Sequence, residues 1–179
     1  MGSVALTVLC GPPCSGKTTL AGTMDLPVLD WDEFYARITR LPLHARAAYD
    51  GVVAPQVETA FRAAIDHAIG AHVPTVIIRA APLRRQREDF RERCDARVVV
   101  LEVAARECVR RLRQCSHRPR ETWRATEEAI RSWWTRYQPS PLDTVMDECG
   151  EVPRLPAHSS DRLCLPRPGL KARRVGSIV

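Results

Sequence analysis

The sequence predicts an α/β three-layer sandwich, a parallel sheet with helices on both faces, and three observations predict it. Short β-type runs, apolar almost throughout, recur between segments of helical periodicity. The first run feeds a glycine-bounded turn, Gly11 to Gly16, that opens a helix. The periodic texture fades beyond Gln138, where six of the 14 prolines fall. This divides the chain into a compact domain over 1–146 and a loosely ordered Pro/Arg-rich tail over 147–179.

The elements follow in order. Val4 to Leu9 is an apolar strand, halted where glycine and proline take over. A helix starts near Lys17 and ends before Pro27, and Pro27 to Asp30 is a second short strand ending in acids. Residues 39–53, with His44, Arg46 and Tyr49, read as loop or short helix. Val57, Ala60, Phe61, Ala64, Ile65, Ala68 and Ile69 share one helical face, with Pro55 suited to the first turn and Gly70 to the end. Val73 to Ile78 is a third strand, Leu83 to Arg93 a polar helix, and Arg97 to Val103 a strand apolar enough to be buried on both faces. Ala105 to Gln114 turns Cys108, Val109 and Leu112 inward. After Ser116-His-Arg-Pro119 comes a helix through Tyr137 with Trp123, Ile130, Trp134 and Tyr137 on one side; Leu142 to Met146 is the last plausible strand.

At 45% hydrophobic and 27% charged the composition is that of a globular chain, which excludes intrinsic disorder as the general state. No apolar run is long enough to span a bilayer. Seven scattered cysteines, an odd number without paired zinc-ligand spacing or a secretory leader, predict reduced thiols in the cytoplasm. The net charge is +6, and all but two of the 27 basic residues are arginines. They crowd into two stretches, Arg79–Arg97 and Arg106–Arg124. Acids dilute the first, which reads as a solvated helical face. The second has only Glu107 and Glu121 against seven arginines and reads as a surface that grips phosphates.

Gly11-Pro-Pro-Cys-Ser-Gly-Lys-Thr18 fits G-x-x-x-x-G-K-[ST] at every fixed position. Glycines let the loop curl so that backbone N–H groups of Gly11, Cys14, Ser15 and Gly16 face phosphate oxygens, and the helix through Thr19 adds its positive end. Lys17 reaches the β- and γ-phosphates, and the Thr18 hydroxyl ligates Mg²⁺. The motif lies between a predicted strand and a predicted helix, as the mechanism requires. ATP with Mg²⁺ is therefore the expected nucleotide.

Three acids, Asp30, Asp32 and Glu33, end the second strand beside this cradle. They suit two tasks, holding water around Mg²⁺ (Asp30) and accepting a proton from an attacking hydroxyl (Asp32). Asp32 equally suits the N-cap of a helix through Arg37, and the two roles can coexist. Arg79 ends the third strand, where many P-loop ATPases carry an aspartate, which argues against a motor ATPase. It is open whether Arg79 touches substrate or pairs with a strand-two acid.

The chain resembles the small P-loop kinases grouped with phage polynucleotide 5′-kinase, zeta toxins and chloramphenicol phosphotransferase. The match lies in Gly11 to Thr18, Asp32-Glu33-Phe34, and Glu107-Cys-Val-Arg-Arg-Leu-Arg113 ahead of a Trp/Tyr helix, together spanning about 1–138. The resemblance implies a kinase-type sandwich with Asp32 as base for an acceptor hydroxyl. It also implies an arginine-bearing helical lid, about 106–124, in which Arg111, Arg113 and Arg118 meet the ATP phosphates and the transferring group. Tyr35 stands where polynucleotide kinases carry a phosphate-holding arginine, and Cys115 where a further lid arginine is expected. The acceptor thus reads first as a nucleic-acid 5′-hydroxyl or nucleoside-type hydroxyl, a modified base included. A small metabolite or antibiotic, or a regulator or toxin-like module that hydrolyses ATP slowly, are the alternatives.

Overall fold

The computed structural model describes residues 5–43, 51–116 and 118–147. Five parallel strands form one sheet in the order β2-β3-β1-β4-β5: β1 Leu6–Cys10, β2 Val28–Asp30, β3 Thr75–Arg79, β4 Arg97–Leu101 and β5 Thr144–Met146. Between them run α1 Lys17–Ala21, α2 Trp31–Thr39, α3 Ala54–Gly70, α4 Arg84–Cys94, α5 Ala105–Gln114 and α6 Trp123–Arg136, the last preceded by a 3₁₀ turn at Arg120–Thr122. The predicted α/β sandwich with a parallel sheet is the fold observed.

Side chains alternate along each strand, so the sheet builds two cores. Leu6, Val8 and Cys10 join Ile77, Val98 and Val100 on one face, under α2 and α3 through Tyr35, Val57, Phe61 and Ile65. Leu9, Val76, Ile78, Val99 and Leu101 face the other way, under α1, α5 and α6 through Ala21, Cys108, Leu112 and Ile130. Helix α3 shows why such a sequence is helical. Val57, Phe61, Ile65 and Ala68 recur at four, four and three residues, so one stripe is buried, with proline tolerated in the first turn.

Register fixes the business end of the sheet. Cys10 lies opposite Arg79 and Val100, and Asp30 opposite Ile78, so the loops leaving β1, β2 and β3 emerge side by side at the carboxyl edge.

The first helix, α1, starts at Lys17 and ends before Pro27 as expected, stopping at Ala21 ahead of Gly22. Two expectations need correction. On the last helix the buried stripe is Thr126, Ile130 and Trp133, whereas Trp134 and Tyr137 are half-buried. The stretch 79–97 is not simply a solvated face: Arg87 has no exposed side-chain surface, and Arg91 is largely covered. The expectations for His44, Arg46, Tyr49 and the tail over 148–179 lie outside the described residues.

Candidate nucleotide site

The loop after β1 is shaped by two residues that must lack a side chain. Gly11 sits at φ +149°, and a Cβ there would lie 2.9 Å from both the Leu101 carbonyl oxygen and Ser15 Oγ. Gly16 sits at φ +99°, outside what side chains readily adopt. Between them Cys14 holds a left-handed conformation, φ 62°, and the Ser15 N–H donates to Pro12 O at 3.3 Å. The Lys17 ammonium folds over this curl, donating to Gly11 O at 3.0 Å, Pro12 O at 2.7 Å and Ser15 Oγ at 3.4 Å. Its burial lowers the ammonium pKa, and the charge of Asp32 opposes that most strongly. Thr18 and Thr19 are exposed at the mouth.

Asp30, buried at the end of β2, accepts the Asp32 N–H at 3.0 Å and so caps α2. The cap that Asp32 was suited to belongs to Asp30, and the Asp32 and Glu33 carboxylates stay exposed. Burial, reinforced by the charge of Asp32, raises the Asp30 carboxyl to about 6. Arg79 pairs with Glu58 of α3 at 3.0 Å, not with a strand-two acid, and lies over the rings of Trp31 and Phe61. Glu58 also accepts from Trp31 Nε1 at 3.2 Å and Arg62 Nε at 2.9 Å. Burial pushes the Glu58 carboxyl up, but these partners, Arg79 foremost, outweigh it and hold it below the usual range.

The arginines of 106–124 divide by direction. Glu107 accepts from Arg110 at 2.6 Å and Arg111 at 2.7 Å, and these bonds hold its carboxyl near about 2. Arg111 then reaches the loop, donating from Nη1 to Ser15 O at 3.0 Å. Arg118 bonds Thr126 Oγ1 at 3.4 Å, and its charge lowers the Cys14 thiol pKa against the stronger effect of burial. Arg113 turns instead to Glu127 of α6 at 3.1 Å.

A family model described as an AAA domain matches residues 6–140. The chain belongs to that family. No curated protein sequence matches it. Among solved structures it is similar to a sugar kinase from Janibacter sp. HTCC2649, with TM-score 0.56 and 18% identity over 82% of this chain and 86% of that one. The tunicamycin resistance protein of Deinococcus radiodurans gives TM-score 0.52 and 19% identity over 83% and 88%. The Pnkp1/Rnl/Hen1 RNA repair complex gives TM-score 0.56 and 14% identity over 77% of this chain and 48% of that one. The fold of this AAA domain is that of the small P-loop kinases.

The donor set suits a magnesium-bound nucleotide. Hard oxygen donors, the Thr18 hydroxyl and the Asp30 and Asp32 carboxylates, stand beside a loop built to face phosphate. The described residues of this AAA domain contain no group of three or more His, Cys, Asp or Glu placed to hold a metal alone. Among the described residues no helix is long and apolar enough to cross a membrane. Sequence reasoning missed Glu58, Arg87, Trp133 and Asp143, all of which shape this edge of the sheet. The contacts that place them here, Glu58 with Trp31, Arg87 with Asp143 and Trp133 with Ala80, join residues 27, 56 and 53 apart along the chain, so no local pattern marks them.

Proposed function

We propose that this P-loop kinase transfers the γ-phosphate of ATP to an acceptor hydroxyl, with Asp32 as the general base. One observation carries the reading. Lys17 and Arg111 both bond the curled loop, while Asp32, exposed at the start of α2, is the acid whose charge acts most strongly on Lys17. This supports a reading with cations on the phosphate side and the Asp32 carboxylate on the acceptor side. Gly11, Cys14, Ser15, Gly16 and Thr19 line the cradle, although the Gly11 and Ser15 N–H groups, expected to face phosphate, donate to Ala80 O and Pro12 O. Lys17 and Arg111 neutralise the phosphate oxygens, and Arg118 with Arg113 stabilises the transferring group, Arg113 first leaving Glu127. Asp32 takes the proton of the attacking hydroxyl. Mg²⁺, when bound, would be held by Thr18 and Asp30 and would supply charge neutralisation of the phosphates.

For the acceptor, the geometry favours a small uncharged hydroxyl compound. Tyr35, which would otherwise offer a surface for base stacking, is buried and stacked on Trp31 at 5.6 Å. Arg79 is taken by Glu58, and exposed Asp32 and Glu33 repel a phosphate-bearing strand. A nucleic-acid 5′-hydroxyl is the second reading, favoured by the arginine-dense stretch 106–124.

Transfer of labelled γ-phosphate from ATP to a panel of small alcohols, nucleosides and oligonucleotides tests both. Label on small acceptors, insensitive to salt, supports the first; label on oligonucleotides that falls steeply with salt supports the second. Lys17→Ala and Asp32→Asn should each stop transfer, the asparagine variant with ATP still bound. Full activity in either removes that residue's role.

A further inference from the structure

We propose that Trp133 and Arg87 are positioning residues for the phosphate loop, acting through the segment Ala80–Pro82; the functional half of this rests on the nucleotide reading above. The segment leaves β3, and the strand order β2-β3-β1 sets it between the loop after β1 and the acids after β2. All three of its carbonyls are engaged. Ala80 O accepts the N–H of Gly11, the first residue of the loop, at 3.3 Å and the indole N–H of Trp133 at 2.7 Å. Ala81 O accepts from Arg87 Nη1 at 2.8 Å, and Pro82 O from the same nitrogen at 2.9 Å and from the Gln138 N–H at 3.0 Å.

Such dense anchoring answers a local difficulty. Ala81 sits at φ +37°, a left-handed conformation that a residue with a Cβ leaves unless its surroundings hold it there. The Arg87 fork holds it. Asp143 holds the fork in turn, its carboxylate accepting from Arg87 Nε at 3.0 and 3.2 Å with neither side chain exposed. With the fork fixed, Ala80 O keeps a single position, and Gly11 is tethered to it. Gly11 has no slack on its other side, where the Leu101 carbonyl leaves no space even for a Cβ. The loop mouth therefore sits where Ala80 puts it. Trp133 extends the link to α6, the helix that follows the lid, so one carbonyl joins the loop and the base of the lid.

The test uses the full chain and Trp133→Phe, which removes one N–H and keeps a ring to stack on Tyr137, now 4.6 Å away. The Gly11 amide should exchange its hydrogen about tenfold faster, and ATP–Mg²⁺ should bind about five- to tenfold more weakly by calorimetry, the loss expected for one buried hydrogen bond. Arg87→Lys should act the same way if it folds; if it does not, the phenylalanine variant carries the test alone. Ile130→Val, on the same helix but in the opposite core, controls for stability: it should lower the melting temperature and leave both readouts unchanged. Unchanged Gly11 exchange in Trp133→Phe overturns the proposal, and so do equal affinity losses in Trp133→Phe and Ile130→Val. The exchange measurement needs no nucleotide. A parent protein that fails to bind ATP–Mg²⁺ while Gly11 exchange still responds would sink the nucleotide reading and leave the structural tether standing.

Discussion

In the stretch 79–97, Arg87 has no exposed side-chain surface and bonds a buried acid 56 residues away, the Gln138 carbonyl 51 away and the nearer carbonyls of Ala81 and Pro82. In the stretch 106–124, Arg110, Arg113 and Arg124 stay more than half exposed, and Arg110 and Arg124 pair with acids three or four residues away. Arginine density is comparable, yet one stretch holds the sheet edge together and the other faces solvent and the phosphate loop. The partner's distance along the chain decides. A remote buried carboxylate makes an arginine a structural bolt, because removing either member strands a charge in the core. A neighbouring exposed carboxylate only orients a side chain that water already solvates.

Substitutions can break this contrast, beginning with the largest effect. Arg87→Ala should cost about 3–5 kcal/mol and lower the melting temperature by roughly 10–15 °C, followed by circular dichroism. A shift of only about 2 °C would mean that the buried pair is not what holds this edge. Arg111→Ala should leave the melting temperature nearly unchanged and lower phosphoryl transfer, or acceptor-free ATP hydrolysis, by about 100-fold. Arg113→Ala, starting from Glu127, should lower it by less than about tenfold. Equal losses in the two would show that the lid rearranges before chemistry and that their resting directions do not matter. Arg124→Ala should change stability by less than about 0.5 kcal/mol in chemical denaturation, and a larger loss would remove the solvated half of the contrast. The smallest effect is at Cys108, within the second stretch but turned into the core. Burial raises its thiol to about 11, so at pH 8 about one molecule in a thousand carries the thiolate. Maleimide labelling read by mass spectrometry should therefore spare Cys108 until the pH approaches 11 or the chain unfolds.

The phosphate loop was readable because its backbone leaves few choices of residue. Gly11 and Gly16 stand where positive φ and a 2.9 Å approach admit nothing larger, and Lys17 and Thr18 follow at fixed spacing. The strands were readable for a similar reason, since burial on both faces forces runs such as Val98-Val-Val-Leu101. Arg87 was not readable. It lies among Arg84, Arg85 and Arg91 in a helix of polar composition, and its partner Asp143 is 56 residues away. Trp133 and Trp134 are adjacent and identical, so small errors in helical phase exchange the buried ring for the half-buried one. The Glu58 pairing of Arg79 was hidden likewise, because only the folded α3 brings that acid to the end of β3.

The strand order also governs how the molecule comes to be made. The central strand β1 is the first to leave the ribosome, yet Leu6 pairs with Thr75 and Thr7 with Arg97. These partners lie 69 and 90 residues further along the chain, so the loop-closure entropy for both falls due late. Sheets assembled from such distant pairings fold slowly, and their apolar strands wait exposed in the meantime. Arg87 meets Asp143 later still, after nearly all of the sheet has been translated. A ribosome stalled short of residue 143 would carry a nascent sheet whose edge is not yet bolted, and that intermediate is the form a chaperone would have to shield.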